Sequence, residues 1–216
     1  LSIRRQRQMC IRDRFTMGYC SSNPVEKTRV EKVKRGSVNR FSPKELKQLF
    51  SVVSPEFLPC LAIGAFAGIR VEEIMRLSWD NIDFDKKFIY LNENITKTST
   101  KRSVPIHNNL AEWIAPYCLQ GSKIWNGSEY TFHRARRATA KKAGVDWIEN
   151  GLRHSYACYR LGEINDISKV ATEMGNSVSV IHRHYLDLVD QELAEKWFSI
   201  RPDSYENNII KLSSAS

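Results

Sequence analysis

The sequence predicts a mainly α-helical fold carrying one small antiparallel β-sheet, an α+β arrangement. Three observations lead there. Most of residues 41–200 divides into segments of helical period, each opened or closed by capping chemistry. One of them, EFLPCLAIGAFAG from Glu56 to Gly68, is almost wholly apolar, as a helix inside a core must be. One stretch breaks the pattern. KKFIYLNENITKTSTKRSVPIH, from Lys86 to His107, sets short apolar segments around a polar turn, which is a hairpin signal.

In order, FSPKELKQLFSVV opens a helix with Ser42 as N-cap, Pro43 at the first position and Glu45 placed for a capping box. Ser54-Pro55 repeats that start signal for the apolar helix, and Gly68 closes it as a left-handed C′ residue. Val71 to Leu77 predict a short helix with Ile74 and Leu77 inward. Strands are expected over Phe88–Leu91, Ile95–Thr98 and Arg102–Ile106, around the turn Ser99-Thr100-Lys101. Helices follow over 109–119 (Leu110, Trp113, Ile114 and Tyr117 on one face), Ser128–Ala143, Gly151–Leu161, Asp166–Met174, a segment capped by Ser177 that leads to Tyr185, and Asp190–Phe198. The apolar face of the last one (Leu193, Trp197, Phe198) suits its own core and a neighbouring subunit equally.

The chain has 216 residues, 42% of them hydrophobic, enough for one or two globular domains with a real core. No apolar run reaches the ~18 residues that a membrane helix needs, so no membrane partner is expected. The basic N-terminus lacks a continuous apolar stretch and is not a secretory signal. Cysteines 10, 20, 60, 118 and 158 include no C-x-x-C pair. They read as free thiols of a cytoplasmic protein, and no zinc or other metal site is expected.

Net charge is +9, unevenly spread. Residues 1–40 hold 11 Lys/Arg against 3 Asp/Glu, and residues 41–216 hold 22 against 21. The excess belongs to the N-terminal arm, which suits nucleic acid and a solvated tail about equally. MCIRDR, Met9 to Arg14, is what ATG TGT ATA AGA GAC AG encodes, the end of a transposon-based sequencing adaptor. Residues 1–14 are therefore expected to be foreign sequence on a truncated reading frame; without their five Arg and one Asp the net charge is +5. Residues 15–40 are expected as a basic arm or linker, 41–200 as the folded domain and 201–216 as a polar tail.

Several side chains point to chemistry. Arg70 stands at a helix entry, where the dipole disfavours a cation unless an anion is bound there. HRARRATAKK carries Arg134, Arg136, Arg137, Lys141 and Lys142 with no acid, which favours phosphate-backbone contact over a merely solvated face. Lys101 and Arg102, at the hairpin turn, join that DNA-binding set. Lys97 just before the turn reads, alone, as a solubility charge. From Asn150 the spacing is distinctive: Arg153 three residues on, Asn176 another 23, Tyr185 another nine. The pattern suits phosphoryl transfer, with Arg153 clamping a phosphate that Tyr185 attacks.

With these residues in view, residues 40–200 resemble the catalytic domain of the tyrosine recombinase (phage integrase) family. GIRVEEIMRLSWDNIDF looks like its first arginine box, with Arg70 and the acidic Glu73; TKTSTKRSVPI matches its hairpin lysine, Lys97; NGLRHS matches its H-x-x-R box, giving Arg153; Gly175-Asn176 matches its G-H/W box; HRHYLDL supplies the nucleophile, Tyr185. The resemblance implies that family's catalytic-domain fold, double-stranded DNA as substrate, a 3′-phosphotyrosine intermediate, a homotetramer on DNA and no cofactor. It assigns phosphate binding to Arg70 and Arg153 and proton donation to the leaving 5′-oxygen to Lys97. It implies a preceding core-binding domain, of which 15–25 would hold at most the last residues.

Asn150 and Asn176 depart from the pattern, which usually has His at both positions. Asn donates a hydrogen bond but does not exchange protons near neutrality. Two readings stay open: a working recombinase with asparagines as donors, favoured because the arginines and tyrosine are intact, and an impaired relic that binds DNA. A helical DNA-binding regulator without chemistry and a type IB topoisomerase are the further alternatives. His184 is expected to be a helix-surface or packing histidine, since residues adjacent on a helix do not face each other. His154, at a position where the family often has His too, is expected to be structural.

Overall fold

The structure is a computed structural model that describes residues 10–11, 13–23, 39–96, 101–119, 121–185 and 190–202. The chain divides into two compact units, Leu1–Gly36 and Ser37–Ser216. In the first, residues 13–16 are helical, and Phe15, Met17 and Tyr19 are exposed.

The second unit opens on Phe41, fully buried. Its N–H donates to Ser155 Oγ (2.8 Å) and its carbonyl accepts from Tyr159 Oη (2.8 Å). Helix α1 (Pro43–Val52) starts as its sequence requires. Glu45 N–H donates to Ser42 Oγ (3.3 Å) and Ser42 N–H to Glu45 Oε2 (2.7 Å), a reciprocal cap that contributes about 1 kcal/mol. Every residue of helix α2 (Leu58–Ala67) is buried. It begins later than Ser54-Pro55 suggests, because residues 55–57 form a turn whose Phe57 and Leu58 N–H groups both donate to Ser54 O. Gly68 ends α2 at φ +60°, and a Cβ there would lie 2.3 Å from the Tyr156 ring. Both the left-handed backbone and the close approach demand glycine.

Helix α3 (Val71–Ile74) is shorter than predicted, since the chain turns at residues 75–76. Strands β1 (Ile82–Asp83), β2 (Phe88–Leu91) and β3 (Arg102–Pro105) form an antiparallel sheet in that order, with Ile82 opposite Ile89 and Ile89 opposite Val104. The expected strand at Ile95–Thr98 is not formed at its start. Asn92 closes a turn there, its carbonyl accepting from the N–H groups of both Ile95 and Thr96. Lys97 and Thr98 lie outside the described residues. The sheet buries Ile89, Leu91 and Val104 on one face.

Helix α4 (Asn108–Ile114) runs on into a 3₁₀ turn at Ala115–Tyr117, and Trp113 stacks on Phe50 with 4.2 Å between ring centroids. Helix α5 (Glu129–Ala143) is capped by Ser128 and ends at Gly144 (φ +64°). It seats Phe132 edge-on against Phe57 (5.1 Å). Helices α6 (Gly151–Ile164), α7 (Ile167–Met174), α8 (Val178–Tyr185) and α9 (Gln191–Phe198) complete the domain. Helix α6 is central, packing against α2, α7, α8 and α9. Helix α9 lies on its own core: Trp197 is fully buried, stacks on Tyr159 at 4.6 Å and donates its indole N–H to Ala65 O (3.1 Å). No described helix is long and apolar enough to cross a membrane.

Candidate active site

The site is built on the end of α7. Gly175 takes φ +60° and turns the chain out of the helix. The last carbonyls of a helix have no partner within it and carry the negative end of its dipole. Three arginines from three other elements take them. Arg102 Nε, on β3, donates to Glu173 O (3.2 Å); Arg153 Nη2, on α6, to Met174 O (2.6 Å); Arg70 Nη2, at the entry to α3, to Gly175 O (3.0 Å). One helix end thus draws together three like charges separated by up to 83 residues in sequence.

Two of the three also share a side chain. Asn176 Oδ1 accepts from Arg70 Nη2 (2.9 Å) and from Arg153 Nη2 (3.2 Å). Arg153 Nη1 donates to the backbone carbonyl of Gly68 at 2.5 Å. Arg153 is buried (8% exposed), and all its acceptors are neutral oxygens. Burial, then the neighbouring Arg70 cation, pushes its guanidinium down to about 9. It therefore stays charged at neutral pH, with no carboxylate partner among the described residues.

Arg70 is partly open, its side chain 24% exposed, and Glu73 accepts from its Nη1 (3.1 Å) and its backbone N–H (3.2 Å). Glu73 is fully buried and also takes a two-pronged bond from Arg102 (Nη1–Oε1 3.1 Å, Nη2–Oε2 2.6 Å). Burial pushes the Glu73 carboxyl up, but Arg102 and Arg70 together hold it below the usual carboxylate range. Arg102 is thus not the DNA-facing cation expected from its place beside a polar turn. Its side chain is 6% exposed, because Glu73 and the end of α7 pull it inward. Among the described residues, three guanidiniums meet one carboxylate at this centre, which leaves it a net positive charge.

Tyr185, the last residue of α8, is 4% exposed, and its Oη lies 2.7 Å from His154 Nδ1. Burial raises the phenol pKa against the opposing pull of Arg153. Burial, with Arg153 and His184, lowers that of His154. Asn150 sits at the N-terminus of α6 with left-handed backbone (φ +55°), exposed and not capping the helix with its side chain. It lines a cavity with Arg70, Arg153 and Arg136. The five cations of α5 divide: Arg134, Arg137, Lys141 and Lys142 are exposed, whereas Arg136 turns toward that cavity, over Trp147 (5.4 Å) and 3.5 Å from Glu149. Lys101 is exposed and 3.6 Å from Glu93.

The structure brings Arg70, Arg153 and Asn176 together, and it puts His154, read from the sequence as structural, on the Tyr185 hydroxyl. One signal was present: His154 follows Asn150 by four residues, one helical turn along the same face. The Glu73–Arg102 pair and the Gly68 carbonyl left no such trace.

A cation pair joined by an amide, next to a buried tyrosine on a helical domain with a three-stranded sheet, suits the binding of a phosphoryl anion. Residues 39–192 match the model of the phage integrase family, and the chain belongs to that family. It is 30% identical over 174 residues to the tyrosine recombinase XerA of Thermococcus kodakarensis, an alignment covering 71% of this chain and 59% of that relative. Its fold is similar to a lambda integrase dimer bound to a COC′ core site (TM-score 0.64, 18% identity, 88% of this chain and 72% of that one). It is similar also to a lambda integrase tetramer bound to a Holliday junction (TM-score 0.61, 17% identity, 93% and 60%).

Proposed function

We propose that this chain cuts and rejoins DNA strands through a 3′-phosphotyrosine on Tyr185, as a site-specific recombinase or integrase. The observation that carries this reading is Arg153: a buried guanidinium with only neutral acceptors among the described residues, joined to Arg70 through Asn176, its charge felt by Tyr185. A DNA phosphodiester repels nucleophiles until its charge is met, and forked guanidinium donors meet it at two oxygens. Arg70 and Arg153 take that role, and Asn176 can turn its amide N–H₂ to a phosphate oxygen while its carbonyl holds the arginines. Lys97 is the proton donor to the leaving 5′-oxygen, and Asn150 orients groups at the cavity mouth. The two guanidiniums do what a metal does elsewhere in phosphoryl transfer, so no cofactor enters the scheme.

Duplex DNA would lie along the exposed cations Arg134, Arg137, Lys141 and Lys142, with Lys101 at the hairpin. Strand exchange joins two duplexes, and a homotetramer on DNA fits both that requirement and the assembly seen in the lambda integrase complex. The test is a suicide DNA substrate that traps the covalent step. A denaturing gel should show a protein–DNA adduct with the natural chain and none with Tyr185→Phe. Specific binding without an adduct would favour a protein that holds DNA without chemistry, and an adduct surviving Tyr185→Phe would sink the assignment of the nucleophile.

A further inference from the structure

We infer that His154 is the proton acceptor for Tyr185, taking over one helical turn along α6 the proton handling that Asn150 is unable to perform. This rests on the proposed cleavage chemistry and adds to it the group that activates the nucleophile. The geometry is direct: His154 Nδ1 and Tyr185 Oη are 2.7 Å apart, with 5.8 Å between tilted rings. Asn150 O accepts the His154 backbone N–H (2.9 Å), so the two positions occupy successive turns. Among the described residues, the charged and titratable groups bearing on the pair are Arg153 and Cys158 on α6 and His184 on α8. None of these is an anion that would hold the imidazole protonated. Burial and Arg153 favour its neutral form, which is the form able to accept a proton.

The step balances as follows. The Tyr185 Oη–phosphorus bond forms as the phosphorus–O5′ bond breaks. The phenolic proton passes to His154 Nδ1, giving an imidazolium, and the departing 5′-oxygen takes a proton from the general acid, the ammonium of Lys97 in the scheme above. In rejoining, the 5′-hydroxyl returns its proton to the Lys97 amine as its oxygen bonds phosphorus, the Tyr185 Oη–phosphorus bond breaks, and the imidazolium returns its proton to the leaving phenolate. The imidazolium forms beside Arg153 while that cation is matched by the bound phosphate, so the repulsion disfavouring it in the free protein is relieved in the complex.

The decisive variant is His154→Asn, whose side chain reaches the place of Nδ1 and keeps a hydrogen bond without titrating. Single-turnover adduct formation on the suicide substrate should fall about 10²-fold, within the span of general base catalysis. The acid limb of its pH profile, set by the lowered imidazole pKa, should vanish. A substrate with sulfur in place of the bridging 5′-oxygen needs no proton at its leaving group. It should leave the His154→Asn defect in place; full rescue would move His154 to the leaving group and overturn the inference. An unchanged rate and pH profile would also overturn it. A second measurement needs neither DNA nor activity. In the natural chain, ¹⁵N NMR should find His154 neutral at pH 7 with its proton on Nε2 and Nδ1 accepting. A proton on Nδ1 would overturn the assignment, whereas a natural chain that forms no adduct would refute the cleavage reading itself.

Discussion

Arg153 and Arg160 stand seven residues apart on one face of α6, both buried, and their charges are met in opposite ways. Arg160 meets two carboxylates. Its Nε and Nη2 bond Glu173 (3.1 and 2.9 Å), its Nη1 bonds Glu163 (2.6 Å), and Tyr156 Oη donates to the same Glu173 carboxylate (2.8 Å). Burial pulls its pKa down, but these carboxylates win, and the guanidinium is held above its ordinary range. Arg153 has two backbone carbonyls and an amide oxygen, and its pKa falls. The difference separates a charge that its carboxylate partners cancel from a charge that its partners leave standing. Carbonyl dipoles are strong enough to fix a guanidinium in place and too weak to cancel it.

The largest expected effect breaks the two apart by truncation. Arg160→Ala leaves Glu173 buried without its cation and should cost about 3–5 kcal/mol, read as a fall in the urea midpoint. Arg153→Ala should cost clearly less stability, because the carbonyls it frees are neutral and the repulsion of Arg70 is relieved. It should lower the adduct rate by about 10²–10³-fold, as loss of a transition-state donor does. If both variants lost stability equally, the distinction between the two arginines would be wrong.

A second change converts one kind of site into the other. Asn176→Asp is nearly isosteric and puts a carboxylate 2.9 and 3.2 Å from the two guanidiniums. The Arg153 centre would then be closed as the Arg160 cluster is. Stability should rise by about 1 kcal/mol, the scale of a charge-assisted bond in a half-open setting, and the Arg153 pKa should rise with it. Affinity for DNA and the adduct rate should both drop, the rate about 10²-fold, since the new anion occupies the charge meant for phosphate. A stabilised variant with undiminished cleavage would show that incomplete neutralisation is not what reserves the site.

The two regions also differ in how far the sequence reveals them. The helix boundaries at Ser42, Gly68, Gly144, Asp166, Gly175 and Asp190 follow from capping chemistry confined to a few residues, and each stands where that chemistry puts it. Strand β1 has two residues, too few for an alternation to register. Arg102 looked like a surface cation because nothing within its own turn marks it. Its partners, Glu73 and Glu173, lie 29 and 71 residues away. The resemblance of residues 40–200 to a known family picks out Arg70, Arg153 and Tyr185 by type and spacing. The helix-end carbonyls that gather three arginines, and the imidazole on Tyr185, are products of tertiary placement.

The smallest expected effect concerns Asn150, and it sharpens the comparison by asking what the mouth of the Arg153 site still lacks. Asn150 holds a left-handed backbone, which Asn and His both adopt more readily than most residues. It is exposed, and its side chain does not cap α6. Asn150→His should therefore change stability by no more than about 0.5 kcal/mol. Its adduct rate should be unchanged or modestly raised, and the acid limb of the pH profile should stay where His154 sets it. A new limb from the introduced imidazole would mean that position 150 reaches the reacting atoms and that His154 shares its task. A large loss of rate would mean something different: that the site is fitted around the asparagine, its amide making a contact with phosphate that an imidazole does not reproduce.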